Sequence, residues 1–156
     1  DVAETFVALM RAGRAEIDDA GRLVGIYGLT LKPTEHRLTL RGNRFFGWCA
    51  FDSVGIPAAL RESASVHSVC SHCRRDLDFL IESGRPPASP LVISWLPKPC
   101  DSIREQFCPT INFYCDSQHF ARSLASGQPR DTFLTLEAAA ALGRDTWGWA
   151  AAAADQ

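Results

Sequence analysis

Two thiols and a carboxylate carry the chemistry this sequence offers. In Trp48-Cys49-Ala50-Phe51-Asp52 a thiol stands three residues before an acid. If Cys49 begins or immediately precedes a helix, positions three apart share a face, and Asp52 can approach the sulfur. Free N–H groups at a helix N-terminus favour a thiolate, which predicts a lowered pKa for Cys49. On spacing alone the plainer reading is preferred, with Cys49 a small buried hydrophobe and Asp52 a helix cap. Cys108 lies in Phe107-Cys108-Pro109-Thr110, directly before a predicted strand and far from Cys49 along the chain. Pro109 fixes its own φ and restricts Cys108, so the sulfur sits on a stiff backbone. By itself that is no signal.

The chain has six cysteines, the others being Cys70, Cys73, Cys100 and Cys115. Cys70-Ser71-His72-Cys73 is a C-x-x-C with a histidine inside it and His67 just upstream. A zinc knuckle would read this way, but a closed site needs four ligands and no second C-x-x-C supplies them. Cys70 and Cys73 are therefore expected to be neither catalytic nor ligands of a closed zinc site. Cys100 and Cys115 have no partner spacing and default to buried structural thiols. His36 and His119 are isolated and read as surface residues. Arg104, four residues before Cys108, offers local positive potential or a solvated charge. No phosphate loop, Ser-His-Asp arrangement or basic aromatic stripe is present.

The elements that must position these groups are short. Phe6, Leu9 and Met10, extended by Val2, share one face of a helix that Gly13 closes. Arg22–Leu31 and Arg37–Phe46 read as two strands joined by the turn Lys32-Pro33-Thr34-Glu35, with an earlier turn at 18–21. Ser53–Arg61 reads as a short helix, with Pro57 in its first turn or kinking it. Strands follow at Ser65–Cys70, Leu77–Ile81, Leu91–Leu96 and Thr110–Cys115. Asp116 or Ser117 caps a helix through Leu124, Leu134–Leu142 is a helix ended by Gly143, and Trp147–Gln156 is helical by propensity. The pattern is α+β: a mixed or antiparallel sheet with surrounding helices. The 156 residues are 46% hydrophobic and 22% charged, which suits one folded domain and excludes disorder as the main state. A net charge of −2 gives no global pull toward nucleic acid or an anionic membrane, and no apolar run has the roughly 20 residues of a spanning helix. The free thiols and the lack of a visible secretory signal lead to the expectation of a reducing cytoplasm.

Taken together, these motifs resemble the organomercurial lyase (alkylmercury lyase) family. The likeness runs from about Val2 to Gly143. It covers the segment Asp19–Leu31 with its Tyr27-Gly28-Leu29-Thr30, Trp48-Cys49-Ala50-Phe51-Asp52 with Pro57-Ala58 behind it, Ser68-Val69-Cys70, Arg104-Glu105-Gln106-Phe107-Cys108, and Leu136–Gly143. The resemblance implies a catalytic set of Cys49, Asp52 and Cys108, which also hold the mercury as substrate and product, and a structural role for Cys70. It implies no organic cofactor. It further implies a single catalytic domain over 1–156, in which residues 1–13 are the last helix of an otherwise absent N-terminal, winged-helix-like region. The expected partners are an organomercurial substrate and, as metal acceptor, cytosolic thiols or a mercuric reductase, with neither nucleic acid nor membrane. The sequence departs from the family in three ways. Pro109 and Thr110 stand where members carry a second cysteine and a histidine, Val54-Gly55 replaces bulky apolar residues, and Cys73, Cys100 and Cys115 are additions.

The chemistry fits such a trio. Mercury(II) is soft and prefers two thiolates in near-linear coordination. One thiolate captures R–Hg⁺, a second weakens the Hg–C bond, and an acid beside a thiol can take its proton and deliver it to carbon. A desolvated Asp has the raised pKa that such a relay needs. Two other readings stay open. One is a relative repurposed for another organometallic or a biosynthetic substrate. The other is a non-catalytic thiol protein that binds Hg²⁺, Cu⁺ or Zn²⁺ and has no need of a proton donor at Asp52.

Overall fold

The computed structural model describes residues 1–95, 99–125 and 132–154. Its elements, in chain order, begin with helix α1 (Val2–Arg11) and strands β1 (Ala15–Ile17), β2 (Leu23–Ile26), β3 (Leu29–Thr30), β4 (Arg37–Leu40) and β5 (Asn43–Gly47). Helix α2 (Ala50–Leu60) follows, then β6 (Ala64–Val69), β7 (Asp76–Ile81) and β8 (Val92–Ser94). A π-helical turn at Ile103–Phe107 runs into a 3₁₀ turn at Cys108–Thr110. Strand β9 (Phe113–Tyr114), helix α3 (Ser117–Ser123), strand β10 (Phe133–Thr135) and helix α4 (Leu136–Ala154) complete the chain. Seven strands form one sheet in the order β1-β2-β3-β5-β4-β6-β7, and β10-β8-β9 form a second. Every pairing between these strands is antiparallel. The α+β expectation holds, in its antiparallel form.

Both long strands expected near the N-terminus are themselves hairpins. Arg22–Leu31 folds back at Tyr27-Gly28 (φ 50° and 106°), and Arg37–Phe46 folds back at Arg41-Gly42 (φ 50° and 76°). Two consecutive positive φ angles are the signature of the two-residue turn whose twist matches that of the flanking strands. The first residue of each turn is Tyr or Arg, not the Asn or Asp that announces such a turn in sequence. The strand between them therefore pairs β3 with β5, with no direct β3–β4 ladder.

Helix α2 is apolar but for Asp52 and Ser53 and buried from Ala50 to Ala59, because it lies between the large sheet and α4. Strands β4 and β6 alternate inward and outward, sending Leu38, Leu40, Val66 and Ala64 beneath it. Pro57 stands in the middle of α2, not in its first turn. Helix α4 does not begin at Leu134, since Leu134 and Thr135 pair with β8 as part of β10. Nor does it end at Gly143: it runs on through Trp147 to Ala154, and residues 155–156 of the expected helical tail lie outside the described ones. Gly143 is used for contact. A Cβ there would stand 2.2 Å from the Gly55 Cα, and one on Gly55 would meet Gly143 and Trp147, so α2 and α4 touch backbone to backbone. The Gly55 departure noted in the sequence is thus filled by α4.

The strand expected at Thr110–Cys115 shrinks to Phe113–Tyr114 behind the 3₁₀ turn, and residue 96 of the strand expected at Leu91–Leu96 is outside the described residues. Asp116 does cap α3, accepting from the His119 N–H at 2.8 Å. Phe6, Leu9 and Met10 are the half-buried side of α1.

Candidate active site

Cys49 is the N-cap of α2, in extended backbone, and Asp52 is the third residue of the helix. The Asp52 carboxylate turns back and accepts the Cys49 N–H at 2.8 Å, which satisfies one donor that the helix start leaves open. The same spacing that reads as a cap thus also sets acid beside thiol. Both residues are buried, at 1% and 4% exposure.

Cys108 arrives from the other side of the core. Its N–H donates to the Ile103 carbonyl, closing the π-helical turn, a geometry found in short pieces and often at functional positions. Cys108 takes right-handed helical angles (φ −53°, ψ −40°), not the extended ones a following proline favours, and a 3₁₀ turn separates it from β9. The Ala50 N–H donates to the Ile111 carbonyl at 3.1 Å, and Ile111 N–H to the Cys108 carbonyl at 3.1 Å. These bonds pin the start of α2 to the Cys108 turn. The Cys49 and Cys108 sulfurs and an Asp52 oxygen all lie within 4.8 Å of one another.

The trio opens on a cavity of about 300 Å³ with mainly apolar walls. Phe51, Trp95, Trp147 and Phe107 build its aromatic side: Phe51 stands 5.0 Å from Trp95 and 5.1 Å from Trp147, and Trp95 stands 5.4 Å from Phe107, between ring centres. Trp147 is fixed by its indole N–H on the Tyr27 carbonyl at 3.1 Å. The β2–β3 turn passes so close that a Cβ on Gly28 would lie 2.4 Å from Asp52 Oδ1. Cys100 also lines this cavity and is half-buried, so it is not the buried structural residue expected.

Burial governs the protonation of Asp52 and Cys49. Removal from water raises the Asp52 pKa to about 7, against the lowering effect of its bonds to the Cys49 thiol and backbone N–H. Burial, then the neighbouring Cys108 thiol and the Asp52 charge, push the Cys49 thiol well above its ordinary value. The acidified thiol expected from the helix N-terminus is therefore not what the fold produces: desolvation outweighs the dipole. Arg104 does not serve Cys108. It pairs with buried Glu16 at 3.3 Å, as Lys32 does at 3.0 Å, and Glu16 also accepts from the Trp48 indole at 3.3 Å. This acid, which the sequence did not single out, links the segment before Cys49 to the turn before Cys108.

The remaining sequence candidates fall elsewhere. Cys70, Cys73, Cys115 and His119 form a second cluster, so Cys115 and His119 have close partners that their sequence positions conceal. Burial opposes ionisation of Cys70, yet N–H donors and His119 bring its pKa down to about 6, whereas burial and the adjacent thiols push Cys115 up to about 12. His36 is buried, not on the surface. Its Nδ1 lies 2.9 Å from Ser68 Oγ, and burial lowers its pKa to about 4. His67 turns outward to Asp78 at 2.7 Å.

Two buried thiols and a buried acid on an antiparallel α+β frame define a protein equipped to hold a soft metal species and move a proton beside it. Residues 29–148 match the family model described as alkylmercury lyase, and the chain belongs to that family of carbon–mercury lyases. It is 31% identical over 147 residues to the alkylmercury lyase of Staphylococcus epidermidis, covering 92% of this chain and 67% of that one. It is 31% identical over 132 residues to the alkylmercury lyase of Pseudomonas putida, covering 82% and 61%. The chain thus spans about two thirds of the length of these relatives. Its fold matches the crystal structure of the mercury-bound form of MerB2 with a TM-score of 0.82 at 20% identity, over 95% of this chain and 74% of that one.

Proposed function

We propose that this chain cleaves carbon–mercury bonds by protonolysis, with Cys49 and Cys108 as the mercury ligands and Asp52 as the proton carrier. The observation that carries the reading is the convergence of two thiols and one acid within 4.8 Å at the wall of an apolar cavity, in a member of the alkylmercury lyase family. The organomercurial arrives as R–Hg–SR′, bound to a small thiol. The first protein thiol displaces R′S⁻, which leaves as R′SH with that thiol's proton. The second thiol gives its proton to the Asp52 carboxylate and its sulfur adds to mercury, weakening the Hg–C bond. Asp52 then protonates carbon, R–H departs, and Hg(II) remains between the two sulfurs while the carboxylate is restored. Two protons leave the thiols and two appear in R–H and R′SH, so the step balances without a redox change or an organic cofactor.

An acid with a pKa near 7 holds and releases a proton with little cost in either direction at neutral pH, which supports Asp52 in this role. The aromatic walls suit an apolar organic group and keep competing water from the sulfurs. Small thiols, or a mercuric reductase, then take the Hg(II) product by the same ligand exchange. The six unpaired cysteines agree with work in a reducing cytoplasm. Among the described residues no helix is long and apolar enough to cross a membrane. The test is direct: the full chain is incubated with phenylmercury and excess thiol, and benzene is measured in the headspace. Benzene in amounts exceeding the protein is expected, with none above background from Cys49→Ser or Cys108→Ser. Stoichiometric capture of phenylmercury by the parent chain with no benzene would leave only a binding protein.

A further inference from the structure

The second thiol cluster lies where two separate pieces of chain meet. Cys70 and Cys73 sit in the tight turn between β6 and β7, which is closed by the Arg74 N–H on the Cys70 carbonyl at 2.9 Å and the Cys70 N–H on the Arg75 carbonyl at 2.8 Å. Cys115 follows β9, and His119 lies in the first turn of α3, whose Asp116 cap fixes it. The Ser71 N–H donates to the Phe113 carbonyl at 2.8 Å and ties the two pieces together. The four donor atoms all stand within 4.8 Å of one another. Cys73 Sγ is 3.7 Å from Cys115 Sγ, and Cys70 Sγ is 3.6 Å from His119 Nδ1.

Those separations can be set against a coordination sphere. Zn–S of about 2.3 Å and Zn–N of about 2.05 Å at tetrahedral angles put two sulfurs roughly 3.8 Å apart and a sulfur and nitrogen roughly 3.6 Å apart. A disulfide would need about 2.05 Å between sulfurs. The Cys115 N–H also points at Cys70 Sγ, at 3.4 Å, as backbone donors do toward a metal-bound sulfur. Three sulfurs and an imidazole, with no oxygen donor, select a borderline-soft divalent ion over calcium or magnesium.

We propose that Cys70, Cys73, Cys115 and His119 form a closed, structural zinc site that fastens the β6–β7 turn to the β9–α3 segment. Four protein ligands leave no open position, so the ion braces the fold and takes no part in the mercury chemistry. The braced segment is the one that follows Cys108, five residues before β9. This assignment reverses the expectation from sequence that Cys70 and Cys73 are not ligands of a closed zinc site, since Cys115 and His119 supply what a second C-x-x-C would have. It stands whether or not the carbon–mercury reading does.

Testing it takes the full chain, made in zinc-containing medium and desalted into metal-free buffer, with metal content measured by plasma mass spectrometry. About one zinc per chain is expected, falling by about tenfold or more in Cys73→Ser and His119→Ala and unchanged in Cys49→Ser. Cys73 is exposed, so its substitution leaves the core intact. Cobalt(II) added to the metal-free parent chain should give the intense visible bands of a tetrahedral thiolate site, and these should be absent with Cys73→Ser. A parent chain that holds no zinc and gives no cobalt bands would overturn the proposal. So would zinc that persists in Cys73→Ser, zinc that is lost in Cys49→Ser, or a Cys73–Cys115 disulfide in the protein as isolated under reducing conditions.

Discussion

Asp52 keeps its charge only against a desolvation cost, and this makes its proton both usable and visible in stability. Its folded pKa of about 7 lies above the ordinary 3.8. The stabilisation this gives is fully present below pH 3.8, where both states are protonated, and is lost as pH rises toward 7, where only the unfolded chain has ionised. The shift corresponds to on the order of 4 kcal/mol across that window. His36 works in the opposite direction. Its folded pKa of about 4 lies below 6.5, so its contribution is present above pH 6.5 and is lost as pH falls toward 4. Asp52→Asn should therefore remove a downward slope of stability between pH 4 and 7, read as the difference between variant and parent in urea unfolding at each pH. If the two curves run parallel, Asp52 is not desolvated in solution. The roles of Cys49 and Asp52 were half legible in the sequence. Spacing announced a shared helix face, but the thiol pKa depended on burial, which spacing does not contain.

At the scale of elements, two close approaches hold the site. The β2–β3 turn presents Gly28 at φ 106°, against the Asp52 carboxylate. Gly28→Ala forces a Cβ into both a disfavoured backbone angle and an occupied space, so it should cost at least about 1–2 kcal/mol. It should also displace the acid, lowering turnover more than organomercury capture. Equal losses of turnover and capture would indicate a general loosening of the fold. Helices α2 and α4 touch at Gly55 and Gly143, where the neighbour of an added Cβ is backbone and cannot swing aside. Gly143→Ala should lower stability by about 1–3 kcal/mol in a denaturant titration, whereas Gly148→Ala, with nothing within 4 Å, should not lower it. Helices α1 and α3 and strands β6 and β7 were readable from periodicity and capping, whereas β10 took residues read as the start of a helix. The hairpins were not, because Tyr27-Gly28 and Arg41-Gly42 lack the Asn or Asp that usually opens such a turn, and Gly143 resembled a stop signal while serving as a contact.

Across the whole molecule, chemistry-bearing residues are gathered from far apart in sequence. Cys108 joins Cys49 because the Ile111 carbonyl receives the Ala50 N–H while the Ile111 N–H donates to the Cys108 carbonyl. Cys115 and His119 join Cys70 only because β9 lies beside the β6–β7 turn. Neither gathering follows from local spacing, which is why the first was reached by family resemblance and the second was misread as unrelated thiols. In the proposed site Hg(II) would link α2 to the Cys108 turn across Cys49 and Cys108. One equivalent of Hg(II) should therefore raise the thermal midpoint of the parent chain more than that of Cys108→Ser, in which folded and unfolded chains alike still offer the other thiols.

In the proposed reaction one carboxylate, that of Asp52, carries the proton that breaks the carbon–mercury bond. The measurement that tests it most directly follows Asp52→Ala with methylmercury and excess thiol, recording headspace methane beside the intact mass of the gel-filtered protein. The parent chain should release methane and retain no methylmercury. Asp52→Ala should carry one methylmercury adduct and release methane at least about 100-fold more slowly. Methane from Asp52→Ala at the parent rate would show that the proton comes from elsewhere and would contradict the account.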